Sequence, residues 1–435
     1  MARKMKDSGI EWIGEIPEGW EISKVSYFYE VQLGKMLQPQ KKSETDTEEK
    51  YLCAANVGKN SLSLDTLKIM WFSQTEKHQF DLKEGDLLVV EGGDVASCAI
   101  IETPVRKLFF QNALHRVRPL HNESVAFLRY WLMTAKSYGY IDLICNKATI
   151  AHFSKEKFIA LPIPVIPQDI QSKIVSFLDL ECKQIDDLLS KTRSSIEEHK
   201  KLKQAIITQA VTKGVRGERE MKDSGVEWAG LVPHHWGVAK IGSIGQTSSG
   251  ATPLRSKESS FFDDATIRWV RTLDLNDGFV YDSSEKITEL ALASSACSIM
   301  PKGTVCVAMY GGAGTIGKCG LLMSDCATNQ AVCSIVCNRK IVSPIFLLMQ
   351  LLALKSYWMK YAVGTRKDPN ISQDIVARMK ILIPPLDEQK EITDHLDAKC
   401  AEIDGLIAKE EQLVKELESY KKSLIYEVVT GKREV

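Results

Sequence analysis

Residues 312–318, GAGTIGK, satisfy two phosphate-binding patterns at once. Gly312, Gly314 and Gly317 spell GxGxxG, and Gly312, Gly317 and Lys318 spell GxxxxGK. Such a loop works by aiming backbone N–H groups and a helix N-terminus at phosphate, and it follows a strand. The strand-like run Val305–Tyr310 precedes it. The rest of the context fails. Cys319 stands where a magnesium-binding hydroxyl belongs, and Gly320 follows at once and starts a helix poorly. No acid lies near the distance expected for a ribose contact. The residues favour a glycine-rich β-turn, with a nucleotide-binding enzyme built on Gly312–Lys318 as the alternative. A turn of this kind can still bring backbone close to a DNA phosphate.

Other catalytic patterns are missing. The chain has no [DN]PP[YF] tetrapeptide, with which amino-methyltransferases hold the target amine. Asp368-Pro369-Asn370 lacks the second proline and the aromatic. No GxSxG elbow is present. His234-His235 sits in a turn beside Trp236 and reads as a solvated pair. Six of the eleven cysteines lie between Cys297 and Cys337, yet none makes a CxxC pair, so buried thiols are expected rather than zinc. No catalytic residue and no metal site are expected. The 56 Lys and Arg balance 56 Asp and Glu, so only a local face is left to be basic.

The elements that must carry any function are set by a repeat. Residues 5–20, MKDSGIEWIGEIPEGW, return at 221–236 as MKDSGVEWAGLVPHHW, with ten of sixteen positions identical. A period of half a chain is too long for a solenoid and marks one module used twice. Each arm leads into a globular block, 25–160 and 237–380, with strand-like runs first and helical stretches late. Each block ends in a proline boundary, LPIPVIPQ at 161–168 and LIPPL at 382–386. From Asp169 to Thr212 there is no Gly or Pro, and a second such stretch runs from Asp387 to Thr430 with Gly405 alone. A helix of over forty residues is roughly 60 Å long and needs a partner helix.

Both stretches carry heptads. The expected interface of an antiparallel coiled coil is Leu178, Ile185 and Ile206 with Leu188 and Leu202. In the second helix it is Leu396, Ile403, Leu417 and Leu424 with Leu406 and Leu413. Leu178 and Leu396 lie 218 apart, and the same offset pairs Gln171 with Gln389 and Cys182 with Cys400. Between the arms and helices the blocks diverge, with almost no identity between 35–105 and 250–320. The expected fold is α+β: two globular domains with small sheets and helices, joined by two long paired helices. Its segments are 1–160 (arm and first domain), 161–213 (long helix), 214–220 (linker), 221–380 (arm and second domain) and 381–435 (long helix). Trp12, Trp20, Trp228 and Trp236 are expected to anchor each block's start to the scaffold. The longest apolar run, Ile345–Leu354, is too short to span a bilayer. No apolar stretch follows MARKMKDSG, so no signal peptide is expected, and the expected location is cytoplasmic with reduced thiols.

The two arms, IPPLDEQKEI at 383–392 and YKKSLIYEVVTGK at 420–432 together resemble the specificity subunit of type I restriction–modification systems. SSGATP at 248–253 and WVRTLDL at 269–275 are also similar to a target recognition domain of this family, whereas the first block matches less distinctly. The resemblance covers the full chain. It implies that each block reads one half of a split DNA sequence and that the helices hold the blocks at a fixed separation. It further implies two modification (methyltransferase) subunits docked on the scaffold for adenine methylation, and restriction subunits added for cleavage. S-adenosylmethionine, ATP and Mg would be bound by those partners, not by this chain. The alternatives are the nucleotide-binding enzyme and a coiled-coil interaction protein with no DNA role.

Candidate DNA-contacting residues are polar groups in loop-like stretches. In the first block they are Lys35, Lys41, Lys42, Asn56, Lys59, Arg106, Lys107, Asn146, Lys147 and His152. In the second they are Thr252, Arg255, Ser256, Arg271, Lys318, Arg366, Lys367 and Asn370.

Overall fold

The computed structural model describes residues 3–58, 61–145, 152–311, 314–364 and 369–435. The chain divides into two compact units, 1–192 with 412–435, and 193–411, so each long helix contributes to both.

In the first unit the arm is a short ribbon, Met5–Asp7 against Glu15–Pro17. The next strand, Glu21–Lys24, pairs antiparallel with Pro162–Val165. The chain therefore enters and leaves the block on one ribbon, and the proline boundary is itself an edge strand. Pro162 and Pro164 are tolerated there because only one side needs hydrogen bonds. Between these ends lie two sheets. The larger runs in the order Tyr29–Leu33, Leu114–Pro119, Leu87–Val90, Cys98–Ile100, all antiparallel. The smaller runs Lys68–Phe72, Thr47–Leu52, Leu108–Phe110. The run Leu87–Val90 is buried at every position because its two faces feed two cores. Leu87 and Val89 pack with Trp131 and Phe127 of the helix Val125–Ser137, and Leu88 and Val90 pack with Phe72 and Phe110.

The second unit repeats this plan. Arm strands Met221–Asp223 and Leu231–Pro233 pair, and Gly237–Lys240 pairs with Lys380–Ile383. Its larger sheet runs Gly245–Ser249, Val332–Cys337, Val305–Ala308, Cys319–Leu322, with Gly278–Val280 added in parallel at the edge. Its smaller sheet runs Glu285–Ile287, Ile267–Val270, Cys326–Thr328, Ile299–Met300. The starts at Leu87 and Val305, Leu108 and Cys326, and Leu114 and Val332 are each 218 apart. Blocks with almost no identity between 35–105 and 250–320 thus keep one order for the strands they share, and the second adds Gly278–Val280 and Ile299–Met300 at its sheet edges. The apolar run that begins at Ile345 forms a buried helix, Pro344–Ala353, with Phe346, Leu347 and Leu351 fully buried. No helix among the described residues is long and apolar enough to cross a membrane.

The long helices run Gln168–Lys213 and Leu386–Val429. A glutamine in each first turn closes the boundary in the same way. Gln171 donates to Ile166 O at 2.9 Å and accepts from the N–H of Ser124, the residue capping Val125–Ser137. Gln389 donates to Pro384 O at 2.9 Å and accepts from Ser343, which caps Pro344–Ala353. Within each unit the helices run antiparallel. In the first, Lys421 Nζ meets Asp186 at 2.6 Å and the Arg433 guanidinium lies 5.7 Å from the Phe177 ring. In the second, Lys203 meets Asp404 at 2.6 Å, and Ser195 and His199 bond Glu410 at 2.7 and 3.1 Å. The pairs 186–421 and 203–404 are the same contact at the 218 offset, with the helices exchanged.

The heptad assignment needs one correction. Leu178, Ile185, Leu396, Ile403 and Leu424 are buried, and Ile206 and Leu417 are half-buried. The companion line lies four residues on, not three. Cys182, Leu189 and Ile196 are buried, as are Cys400 and Val428, with Ile407 and Val414 half-buried. Leu188, Leu202, Leu406 and Leu413 are exposed at 45, 50, 42 and 39%. A heptad alternates steps of three and four, so the shared line occupies the d position rather than a.

The arms pack on helix ends within their own units. Tyr426 and Lys432 both donate to Ile13 O, at 2.9 and 2.6 Å. Gly431 has φ +72, and a Cβ there would lie 2.5 Å from Pro17 and 2.8 Å from the Trp20 indole. Trp12 lies 5.1 Å from Trp131 and 5.5 Å from Tyr140, ring to ring. In the second unit, Trp236 donates to Glu388 at 2.9 Å and Trp228 to Lys380 O at 3.1 Å.

Candidate nucleic-acid interface

Several candidate contact residues cluster at the smaller sheet of each block. In the first block the sheet buries Tyr51, Met70 and Phe72 on one face and turns Glu48, Lys50, Ile69 and Trp71 to the other. The loop 34–46 lies beside it. Lys41, paired with Glu44 at 2.8 Å, sits 6.0 Å from the Trp71 ring. Lys42 is exposed, and among the described residues its ammonium has no partner. Arg106 and Lys107 are exposed in the turn before Leu108–Phe110, Lys107 at φ +51. The Glu49 carboxylate is held below its ordinary range. Burial of Glu49 acts in the opposite sense, and Lys77 at 2.7 Å overcomes it with Thr47, with Lys107 the most minor contributor.

Two first-block candidates are structural, which corrects their assignment as contacts. Lys35 is 5% exposed, and its ammonium is spent on Gln38 at 2.8 Å and on Glu76. Asn56 is 2% exposed. It accepts from the Cys53 N–H at 2.9 Å and donates to Ser63 O and Thr66 O. Asn56 has every bond used and Lys35 is buried against an acid and an amide, so neither side chain is placed to reach a base edge.

In the second block, Arg255 and Arg271 share one carboxylate. Arg255 bonds Glu285 at 2.7 Å and Arg271 bonds its other oxygen at 2.6 Å. Arg255 stacks on Phe262 at 4.5 Å, and both guanidinium groups lie within 6 Å of the Trp269 ring. Arg271 also donates to Ser284, whose backbone and hydroxyl are tied to Asp274. An arginine fixed by carboxylate and ring is pre-organised for recognition. Thr252 bonds Gln330, and Ser256 is exposed in the same loop. In both blocks, then, a loop cation covers a tryptophan of the smaller sheet: Lys41 over Trp71, Arg255 over Trp269.

His152 and Asn370 lie 218 apart and make the same isolated bridge, to Gly92 and to Tyr310 respectively. Both are exposed at the base of a hairpin of the larger sheet, and His152 contacts Glu91 at 3.2 Å. Lys59, Asn146, Lys147, Arg366 and Lys367 lie outside the described residues, as do Gly312 and Ala313.

Lys318 is half-buried at the end of a hairpin turn. Strands Val305–Ala308 and Cys319–Leu322 are antiparallel partners, and Ala308 bonds Gly317 and Lys318 in both directions. A strand follows where a nucleotide loop requires a helix. A Cβ on Gly317 would fall 2.2 Å from the Trp358 indole, so this glycine serves packing. The turn thus lacks the strand–loop–helix context that a nucleotide site built on Gly312–Lys318 requires. Among the described residues no group of His, Cys, Asp or Glu is arranged to hold a metal. Ten of the eleven cysteines are buried and Cys337 is half-buried. Burial pushes the Cys98, Cys306 and Cys333 thiols up to about 12.

Lys50, Ile69 and Trp71 share the outer face of this sheet with the candidates but were not among them. The alternation in TEEKYL and KIMWF marks them as one face of a half-buried sheet, a signal that sequence reasoning did not use.

The model of the type I restriction modification DNA specificity domain matches residues 17–198 and 233–418. The chain belongs to the family of type I restriction–modification specificity subunits. It is similar to two specificity subunits of Methanocaldococcus jannaschii, putative MjaX and MjaVIII. They are 22 and 23% identical, over 97 and 96% of this chain and 95 and 93% of the relatives. The Escherichia coli EcoR124I/EcoR124II specificity subunit is 22% identical over 62% of each chain. Among solved structures, one chain comes from a study of complex assembly and conformational transition in a type I system. It aligns over 95% of this chain and 98% of its own with a TM-score of 0.74 at 13% identity. The HsdS subunit of Thermoanaerobacter tengcongensis aligns over 96 and 98% at 0.50 and 13%.

Proposed function

We propose that each globular block reads one half of a bipartite DNA target, and that the paired long helices set the separation of the halves. The observation that carries this reading is the repeated block. One strand order is used twice on matching arms and helix ends, while the loops and charges around the smaller sheets differ. Two equivalent frames with different exposed chemistry suit two sites of different sequence. Phosphate contacts would supply affinity and side chains at base edges would supply choice. A net charge of zero limits what this chain contributes alone, so partner subunits would supply part of the positive charge.

The partners are two modification subunits, which bring S-adenosylmethionine and methylate adenine, and restriction subunits, which bring ATP and Mg for cleavage. Exposed Leu188, Leu202, Leu406 and Leu413 support docking on the helices, because apolar residues at heptad spacing outside the intramolecular seam suit further helices. The chain itself takes no chemical step in this reading. Its role is to place a duplex against the partners' active sites.

Methylome sequencing of a strain expressing this chain with its modification subunit tests the reading. A motif of two specified halves separated by a fixed unspecified spacer is expected, with methylated adenine in each half. A single continuous motif, or no chain-dependent methylation, would overturn it.

A further inference from the structure

Strand Tyr29–Leu33 ends at Gly34, and strand Gly245–Ser249 ends at Gly250. The two glycines are 216 apart, as the two arms are. A Cβ on Gly34 would lie 2.3 Å from the Gln111 carbonyl oxygen, and one on Gly250 1.8 Å from that of Thr328. Each following loop therefore leaves its sheet at a point where only glycine fits.

In the first block, Lys35 and Gln38 are buried while Met36 and Leu37 between them are 75 and 55% exposed. The turn is held from both ends. Lys35 Nζ donates to Gln38 at 2.8 Å, and Gln38 donates to Asp46 at 3.2 Å. Asp46 also accepts the N–H groups of Lys42 and Ser43. Lys35 O accepts from Asn112 and Gln38 O from Trp71, at 2.9 and 3.1 Å. In the second block, Leu254 is 66% exposed between Pro253, which is buried, and Arg255, which is exposed but whose guanidinium is fixed by Phe262 and Glu285.

Single apolar residues scattered on a surface need no explanation. These are not scattered. They lie in the loop that follows the same strand in each block, two and three residues after Gly34 and four after Gly250, on anchored loops, beside Lys41 and Lys42 in one and Arg255 in the other. Resting on the reading that each block binds one half-site, we propose that Met36 with Leu37, and Leu254, are apolar wedges that enter the base stack of their respective half-sites. Met and Leu are among the residue types that insert between base steps and unstack them, and the neighbouring cations hold the phosphates on either side. An anchored loop can push bases apart, because little ordering remains to be done on binding. Part of the duplex distortion that precedes methylation is then supplied by this chain.

The test uses the full chain assembled with its modification subunits. The duplexes carry the methylated motif, with 2-aminopurine replacing one base at a time. Fluorescence is expected to rise at one step in each half-site. The double variant Met36→Ser/Leu37→Ser abolishes the rise in one half only, and Leu254→Ser abolishes it in the other. Each weakens specific binding by about 10- to 100-fold, the effect of one or two lost apolar contacts. Neither changes the slope of log affinity against log salt, which counts phosphate contacts. The altered side chains are exposed, and unchanged assembly and circular dichroism check folding. Specific binding without a rise at any step, or a rise that survives both variants, overturns the wedge and leaves half-site reading standing. Assembled complex without sequence-specific binding overturns the half-site reading, and the wedge with it.

Discussion

Glu388 shows how one residue ties an arm to the scaffold. Its carboxylate, on the second long helix, accepts from His235 at 2.7 Å, from Trp236 at 2.9 Å, and from Arg219 and Arg216 at 3.0 Å each. Burial alone would raise its pKa. The bonds from Trp236, His235 and Arg219 outweigh burial and hold it below the ordinary range. A carboxylate with a depressed pKa stabilises the fold above its unfolded value, about 4.3, and loses that contribution as pH falls through the folded value. Glu388→Gln keeps the shape and removes the charge. It should cost about 1–3 kcal/mol in urea unfolding of the full chain at pH 7. The gap from the wild type should narrow below about pH 4. A gap unchanged by acid would mean that the charge does not matter. The sequence marked His234-His235 as a solvated pair. His235 is instead a partner of Glu388, 153 positions away, and only the folded arm brings them together.

At the scale of elements, the long helices were legible because stretches almost free of Gly and Pro, with a seven-residue period, admit little else. The seam was half legible. The Leu178–Leu396 line reads directly, but leucines at 188, 202, 406 and 413 drew the second line to the wrong side. The buried positions are filled in part by Cys182, Cys400 and Ala210, which carry a weaker apolar signal. The exposed ion pairs Lys421–Asp186 and Lys203–Asp404 mark the register and contribute little stability. If the helices set half-site separation, adding seven residues after Thr192 and seven after Glu411 lengthens both by one heptad. That is about 10.5 Å, or about three base pairs at roughly 3.4 Å each. The methylated motif should keep both halves and gain about three unspecified base pairs. Activity with an unchanged spacer would show that the separation is set elsewhere.

On the scale of the whole molecule, the duplication was legible in arms and helices, faint in the later part of each block (Ser154 with Ser372), and lost between 35–105 and 250–320. Leu87–Val90 and Val305–Ala308 are the same central strand, yet LLVV and VCVA share one residue. Cores accept apolar exchanges of similar volume, so strand order outlasts identity. The structural roles of Lys35 and Asn56 were illegible for a related reason. A loop lysine or asparagine announces its charge or amide in sequence, but not whether Gln38 and Glu76, or Cys53 and Ser63, already satisfy it.

The central claim is that the chain holds two independent readers. Replacing residues 25–160 with the corresponding block of another specificity subunit, and mapping the methylated motif, tests it most directly. The account predicts that one half of the motif changes while the other half and the methylation of both are retained. A change in both halves, or in neither, would contradict it.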